Sequence, residues 1–349
     1  MKAMTRLPVL ALAALFLAAG PCLAQSAPDA FAVIDALRGS DRADRLLEAA
    51  RREGGLTLYS SATVEDMGFF IAGFEKKYGL RVKLWRGSSE GILQRAISET
   101  RAGRADFDMI ETGGSALEAL HREEVLQPVD APVFEELDPR ALAPHRAWTA
   151  TRIQIQPNGY NTNVVRPADL PKSWEDFLDP KWKGKLAIEV DDSSWWGPMM
   201  EIMGEEKGVG LFRDIVAKNG ISVRKGHSLL ASLSASGEAP MAFGIYQYRY
   251  AQMKAEGAPV DYVYLAPVMA HGVGAGLSRK AAHPYAAALF FDFLLTDGQK
   301  MLAERHATPS NVRVKPLPPG LNFVDFGKVL DGGDKWANLF RDVFVGKAR

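Results

Sequence analysis

Apolar and polar positions in the first third of the chain alternate in a way that predicts three strand–turn–helix units. Short apolar runs at residues 56–59, 80–85 and 107–110 are typical of strands. Each run is followed by a small polar turn, and then by a segment whose apolar positions recur at helical spacing. The clearest helix is 64–78, which Gly79 ends. Because strands and helices alternate, the pattern predicts an α/β fold with a mainly parallel sheet.

A second α/β block occupies the middle of the chain. Strands are predicted at 153–156, 160–162, 186–190, 241–245 and 260–265, and helices at 171–178, 208–218 and 228–236. A glycine-rich turn is predicted at 271–276, and a helix with a broad apolar face at 284–295. The length of the chain exceeds what one core usually supports, so two domains are expected.

The first residues have the layout of a secretory signal peptide. Lys2 and Arg6 precede an apolar stretch at 7–19, and Cys22-Leu23-Ala24 forms a small-residue cleavage site before Gln25. An apolar stretch of this length is too short to span a bilayer, which argues against the alternative of a short membrane anchor. We therefore expect residues 1–24 to be removed and the mature protein to be periplasmic.

Cysteine and charge narrow the function classes further. The only cysteine, Cys22, is expected to leave with the signal, because Pro21 before it fits a lipid-attachment site poorly. The signal also removes two of the 42 basic residues, so 42 − 2 = 40 remain against 42 acidic ones. A surface with balanced charge argues against a nucleic-acid-binding protein, because nucleic acids attract concentrated positive charge.

After the signal peptide, no stretch of the sequence is long and apolar enough to predict a transmembrane helix.

The small polar turns after the three strands are the first candidate site. The carboxyl ends of parallel strands meet at one crevice, where helix N-termini present free N–H groups to anions. For any one turn, ordinary helix N-caps explain the Ser and Thr residues equally well. Since all three turns converge, we expect at least one to contact ligand. The candidates from these turns are Ser60, Ser61, Thr63, Ser88, Glu111 and Thr112.

Three segments resemble bacterial extracellular solute-binding proteins of the ferric-iron importer type. The run GGLTLYSS at 54–61 resembles the first strand of that family, and WED at 174–176 with LDPKWKGK at 178–185 resembles its midpoint signature. HPYAA at 283–287, continuing through FDFLL and GQ to residue 299, resembles its late helix. The segments appear in the order of the family, and the resemblance covers nearly all of the mature chain.

The resemblance implies a type II periplasmic-binding fold, in which two α/β lobes close on a ligand like a hinge. Lobe 1 is expected to comprise residues 25–152 and 266–349, with C-terminal helices packing across the lobes, and lobe 2 residues 153–265. The implied role is the substrate-binding component of an ABC importer, which delivers a small solute to a permease in the inner membrane. A monomer without cofactors or nucleic-acid partners is expected.

Iron is one possible ligand that the resemblance implies. Iron-binding members hold the metal with tyrosinates, often together with a histidine and a carboxylate. This chain has Thr63 in place of the histidine, Trp195 or Trp196 in place of one tyrosine, and Gln247-Tyr248 in place of the tyrosine pair. Glu111 matches the carboxylate. Glu111 and Tyr248 alone are too few oxygen ligands for Fe(III), unless Tyr246 or a bound anion adds to them.

A small organic solute, in particular an anion, is the other possible ligand. Arg152 offers a guanidinium fork for a carboxylate or phosphonate, and typical pockets combine aromatic walls with a few polar groups. The other candidate residues for such a pocket are Ser194, Trp195, Trp196, Tyr246 and Tyr248. Glu111 then either binds an amine or pairs with Arg152. For the two tryptophans the alternative is that one ring packs in the core while the other fills a helix face, and for Arg152 it is a surface charge near the hinge.

The sequence lacks the common motifs of hydrolases and nucleotide-binding enzymes, which favours a binding protein. There is no G-x-S-x-G elbow, HExxH helix or P-loop, and the six histidines are scattered. His227 beside Ser228 is the only candidate base next to a hydroxyl, and adjacency in sequence does not supply catalytic geometry. A secreted hydrolase is therefore the weaker alternative, and a periplasmic sensor partner with the same fold stays open.

Overall fold

The structure is a computed structural model that describes residues 27–346, so the predicted signal peptide lies outside the described residues. The α-helices are α1 (Ala27–Ala36), α2 (Arg42–Glu53), α3 (Val64–Tyr78), α4 (Ser89–Arg101), α5 (Gly114–Arg122), α6 (Ser193–Met203), α7 (Glu205–Asn219), α8 (His227–Ser236), α9 (Gln247–Ala255), α10 (Pro284–Leu295), α11 (Asp297–Glu304) and α12 (Phe326–Phe340). The strands are β1 (Gly55–Ser60), β2 (Arg81–Arg86), β3 (Met109–Gly113), β4 (Leu126–Gln127), β5 (Thr149–Gln156), β6 (Asn158–Asn161), β7 (Leu186–Glu189), β8 (Ser222–Arg224), β9 (Met241–Ala242), β10 (Val260–Val263), β11 (Val268–Ser278), β12 (Thr308–Pro309) and β13 (Leu321–Phe323).

Two separate sheets confirm the predicted two-lobed α/β architecture. The first has eight strands in the order β12-β5-β11-β3-β1-β2, with β4 and β13 also paired to β11. The second has five strands in the order β10-β6-β9-β7-β8. The predicted parallel pairing holds for β2-β1-β3 and for β9-β7-β8, whereas β11 runs antiparallel to β3 and β5.

The chain changes sheet twice. It leaves the first sheet at Pro157, between β5 and β6, and returns between β10 and β11. The predicted division after Arg152 therefore falls inside β5, because this strand continues in the first sheet to Gln156. We propose that the lobes join at these two crossovers.

The glycine-rich segment 271–276 is a strand, so the predicted turn is wrong. It lies inside β11, which pairs with β3 on one side and β5 on the other. Its glycines recur at every second position, and a Cβ on Gly274 would meet the carbonyl oxygen of Thr149 at 2.3 Å. The glycines therefore allow a close approach of two backbones, which a strand interior uses as readily as a turn does.

Two further elements are shorter than predicted. The strand predicted at 241–245 ends at Ala242, because Gly244 takes a left-handed conformation with φ of 61° over the ring of Trp195. The helix predicted at 171–178 is a 3₁₀ helix, Trp174–Leu178, whose N-terminus is capped by Ser173 and Asp176. Pro180 follows and disfavours continuation of a helix.

Helix α12 packs against both lobes. The ring of Phe326 lies against Gly114 of α5, and Trp336 lies against Gly197 of α6; a Cβ on either glycine would come within 2.5 Å of the ring. Ion pairs join the same helix to each lobe, from Arg122 to Asp331 and from Lys335 to Glu205. No helix within residues 27–346 is long and apolar enough to cross a membrane.

Candidate ligand-binding cleft

A cavity of about 330 Å³ opens where the carboxyl ends of β1, β2 and β3 face the N-terminus of α9. Strands β5 and β11 and the segment after α11 complete its wall. The lining residues are Ser61, Ala62, Thr63, Asp66, Phe70, Ser88, Ser89, Gly113, Arg152, Gln154, Tyr246, Tyr248, Gln252, His271, Val273, Leu302, Arg305 and Ala307. The cavity therefore lies between the edge of the first sheet and α9 of the second lobe, at the end of the strands where parallel α/β sheets bind ligands.

The β1–α3 and β2–α4 turns place two hydroxyls at this cavity. Thr63 caps α3 and accepts a hydrogen bond from Asp66 N at 3.0 Å, and Ser88 caps α4 and accepts one from Gly91 N at 3.1 Å. Both residues are thus N-caps and also line the cavity. Since the first N–H groups of a helix have no intrahelical acceptor, these helix ends direct partial positive charge at the cleft.

Glu111 lies beneath the cavity floor and holds Arg152 in it. The Glu111 side chain is only 1% exposed and accepts from Arg152 Nη1 at 2.7 Å and from Ser60 Oγ at 2.5 Å. Arg152, on β5, lines the cavity with a side chain that is 23% exposed. Two roles are expected for Glu111, binding an amine or pairing with Arg152, and in the structure Glu111 pairs with Arg152.

Ser60 and Thr112 do not reach the cavity. Both are fully buried, and Thr112 Oγ1 donates to Ser89 Oγ at 2.9 Å. Glu111 and Thr112 belong to β3, which continues to Gly113 and passes directly into α5 at Gly114, so the turn expected at these residues is not formed. These side chains support the lining residues from below.

Two tyrosines form the wall on the side of the second sheet. The rings of Tyr246 and Tyr248 stack with centroids 6.2 Å apart, and Tyr246 also stacks on His227 at 3.7 Å. Burial raises the pKa of both phenols, so they stay protonated at neutral pH and act as hydrogen-bond donors. The prediction that these two residues lie at the cleft agrees with their position.

The structure does not bring Ser194, Trp195 and Trp196 to the cavity. Trp195 is 1% exposed beneath Gly244, and Trp196 is fully buried against the C-terminal aromatic rings. Helix α6 is covered on two faces, by its own lobe and by α12, so consecutive tryptophans are both buried. Both rings pack in the core, whereas the alternative from the sequence has only one of them there.

Several lining residues escaped the sequence prediction. Gln154 carries an Nε2 without a hydrogen-bond partner in the described chain, and Arg305 reaches the cavity from the end of α11, where it pairs with Asp66 at 2.8 Å. His271 lies on β11, and burial lowers its pKa to about 4. The glycines at every second position of β11 were the available signal for His271, because they imply that the intervening side chains share the other face.

A second polar cluster lies behind Tyr246. His227 Nε2 is 3.2 Å from Asp192 Oδ1, and Glu189 lies beside them at the end of β7. Burial disfavours the charged imidazole, but the neighbouring Asp192 carboxylate outweighs this effect and raises the pKa of His227. None of the three residues lines the cavity.

Comparison with known proteins identifies a family that matches most of the chain and several relatives. Residues 60–301 match the family described as bacterial extracellular solute-binding protein. A relative from Serratia marcescens, the "Fe(3+)-binding periplasmic protein", is 24% identical over 204 residues, which cover 58% of this chain and 59% of the relative. The chain thus spans about three-fifths of the length of this relative.

Solved structures share the fold. The Trichodesmium protein IdiA (FutA), in complex with iron and citrate, superposes with a TM-score of 0.68 at 21% identity, covering 83% of this chain and 99% of that one. AfuA from Actinobacillus pleuropneumoniae, with fructose-6-phosphate bound, gives a TM-score of 0.67 at 21% identity, covering 84% and 99%. At these identities the comparison establishes the architecture only.

Proposed function

We propose that this chain, which belongs to the bacterial extracellular solute-binding proteins, carries a small organic anion to the permease of an ABC importer. The proposed site is the cleft around Arg152, with Ser61, Thr63, Ser88, Tyr246 and Tyr248 as further contacts. The protein binds and releases its solute without chemical change, and no catalytic residue is assigned.

The observation that carries the ligand class is the fixed guanidinium of Arg152. Its Nη1 is held by a buried carboxylate, while the side chain remains 23% exposed in the cavity. The remaining N–H groups suit a carboxylate, phosphate or phosphonate, which a guanidinium binds in a bidentate manner. Two helix N-termini capped by Thr63 and Ser88 add partial positive charge nearby. The fructose-6-phosphate bound to AfuA is an anion of this kind.

Closure of the lobes is the proposed means of capture. The cavity has walls from both lobes, the chain passes between the two sheets at two crossovers, and α12 packs against both lobes. Rotation at the crossovers would bring Tyr246 and Tyr248 against a ligand held by Arg152. A ligand drives this rotation only to the extent that it binds the closed form better.

The compartment follows from the predicted signal peptide. The family is described as extracellular, and the Serratia relative is named a periplasmic protein. We place the mature chain in the periplasm as a monomer, because a permease must reach both lobes.

Iron is the second candidate cargo. It is favoured by the two cleft tyrosines and by the names of the Serratia and Trichodesmium proteins. Against it, the pKa of both phenols is raised, and Arg152 and Ser60 already occupy the two oxygens of Glu111. Tyrosinate–Fe(III) absorbs visible light, so protein that stays colourless after ferric citrate loading contradicts the iron proposal.

A thermal-unfolding panel tests the anion proposal. Carboxylates, sugar phosphates and phosphonates are compared with uncharged analogues of the same size, because a ligand of the native state raises the melting temperature. At least one anion is expected to stabilise wild-type protein and to lose this effect in Arg152→Gln. The matched control is Arg166→Gln, which changes a surface arginine that is 79% exposed. If no anion stabilises the protein, or if both variants respond alike, the proposal fails.

A further inference from the structure

Three side chains that are suited to metal binding meet at the carboxyl edge of the second sheet. Glu189 ends β7, Asp192 precedes α6, and His227 begins α8 after β8. Strands β7 and β8 pair in parallel, with Glu189 opposite Arg224, so their C-terminal turns lie side by side. As a result, one ligand atom from each of the three residues lies within 4.8 Å of the others.

The cluster contains buried polar atoms without a partner. Asp192 is 4% exposed, and its Oδ2 forms no hydrogen bond of normal geometry within the described chain, although burial raises the pKa of this carboxyl and the Trp195 side chain lies near enough to lower it in part. Nδ1 of His227 likewise has no partner there. Glu189 is held in place by the N–H groups of Asp191 at 2.5 Å and Gly226 at 2.9 Å, which leave a lone pair on each oxygen. A buried carboxylate oxygen without a partner is rare in native proteins and points to a missing ligand.

The charge of the cluster indicates a cation. Within residues 27–346, no lysine or arginine forms an ion pair with Glu189 or Asp192, and Arg224 pairs with Glu238 instead. Two carboxyl groups therefore face a single imidazole, so the cluster carries excess negative charge when both carboxyl groups are ionised. A divalent ion bound to two carboxylates and a neutral imidazole balances this charge.

We propose that Glu189, Asp192 and His227 bind a divalent first-row transition metal ion, with Zn²⁺ as the best fit. One imidazole and two carboxylates are ordinary zinc ligands. Bonds of about 2.0–2.2 Å put tetrahedral ligand atoms about 3.4 Å apart, so side chains whose ligand atoms now lie up to 4.8 Å apart must move closer on binding. The ammonium group of an organic ligand is the other cation that could pair with these carboxylates. It is excluded because the cluster is buried, and the carbon chain of such a ligand would need a passage to it. The site is distinct from the cleft around Arg152, and none of its three residues lines the cavity.

The metal would hold one wall of the cleft in place. The imidazole of His227 stacks on Tyr246 at 3.7 Å, and Tyr246 lines the cavity. An ion that fixes His227 therefore fixes the ring that a ligand meets. Solute binding is expected to weaken several-fold in metal-free protein.

Calorimetric titration of chelator-treated mature protein with Zn²⁺ alone, and with Mn²⁺ for comparison, tests the proposal. One Zn²⁺ per chain is expected, with affinity at least about tenfold lower in Asp192→Asn and Glu189→Gln. The control Glu201→Gln changes an exposed carboxylate on α6 and is expected to bind as wild type. Tyr248→Phe is also expected to bind Zn²⁺ as wild type, because Tyr248 belongs to the cleft.

A crystal of the Zn²⁺ complex gives a measurement that does not depend on variants. An anomalous peak between Glu189, Asp192 and His227 is expected. The proposal is overturned if no Zn²⁺ binds, if the peak lies in the Arg152 cleft, or if Tyr248→Phe abolishes binding while Asp192→Asn does not. Stabilisation by organic amines that is lost in Asp192→Asn would also overturn it in favour of an ammonium site. The Zn²⁺ titration depends on Glu189 and Asp192 and the anion panel on Arg152, so the failure of one proposal can be told from the failure of the other.

Discussion

Arg152 on β5 and Glu111 on β3 lie on strands that do not pair with each other, yet Arg152 Nη1 donates to the Glu111 carboxylate across 2.7 Å. Glycine-rich β11 runs between the two strands, and the two side chains reach past it. The buried carboxylate neutralises part of the guanidinium charge and fixes its direction, and the exposed part faces the cavity. The cleft thus has a positioned cation at its floor.

Glu111→Gln should destabilise the fold. The amide keeps the size of the side chain but loses the charge that Arg152 and Ser60 contact, so the free energy of unfolding should fall by about 1–3 kcal/mol in urea titration. Glu205→Gln, which breaks the pair of exposed charges with Lys335, should cost less than about 1 kcal/mol. Equal losses in the two variants would mean that the buried pair contributes no more than a surface pair.

Trp195→Ala should act on stability. The sequence interpretation placed this ring at the ligand, whereas the structure buries it beneath Gly244. Loss of a buried tryptophan should lower the free energy of unfolding by about 3–5 kcal/mol. Leu229→Ala, in the same lobe and 48% exposed, should change it by less than about 1 kcal/mol. A variant as stable as wild type with reduced ligand affinity would restore the interpretation from sequence.

Gly274→Ala should strain the first sheet. The new Cβ would lie 2.3 Å from the carbonyl oxygen of Thr149, and backbone atoms of two paired strands have little room to move. We expect a loss of about 1–3 kcal/mol or more, measured by thermal or urea unfolding. Gly210→Ala, in α7 with nothing within 4 Å, should be neutral or raise stability by up to about 1 kcal/mol. A Gly274→Ala variant with unchanged stability would contradict the close packing of β5 and β11.

His271 should make the protein less stable in acid. Burial lowers its pKa in the folded state to about 4, below the value of 6.5 expected in the unfolded chain. Between these values the unfolded chain binds a proton that the folded one does not, so stability is lost as pH falls from 6.5 towards 4. The slope from this residue is at most about 1.4 kcal/mol per pH unit. His271→Gln should remove this contribution; an unchanged pH profile of the melting temperature would show that His271 does not cause it.

Local signals made much of the first lobe predictable. Helix α3 matches its predicted bounds, because Thr63 caps one end and Gly79, with φ of 70°, ends the other. Helix α10 also matches its predicted bounds and begins at Pro284, as is common for the first turn of a helix. The three β–α junctions lie at one sheet edge as predicted, since parallel strands leave no other arrangement for them.

Features set by distant contacts could not be predicted in this way. Trp196 is buried because Trp336 and Phe340, far along the chain, pack over it. Arg305 joins the cleft only because α11 packs beside β5 and brings its C-terminal end to Asp66. The glycines of β11 predict a turn when read from the sequence alone, because the neighbours that require glycine, Thr149 and Ala150, lie on another strand.

Native mass spectrometry of mature protein purified without denaturation tests the central claim most directly. The account predicts one small organic anion per chain, released on denaturation and identified by its mass, and absent from Arg152→Gln prepared in the same way. Protein that carries Fe(III), or a neutral or cationic solute retained equally by Arg152→Gln, would contradict the claim that this cleft binds an anion through Arg152.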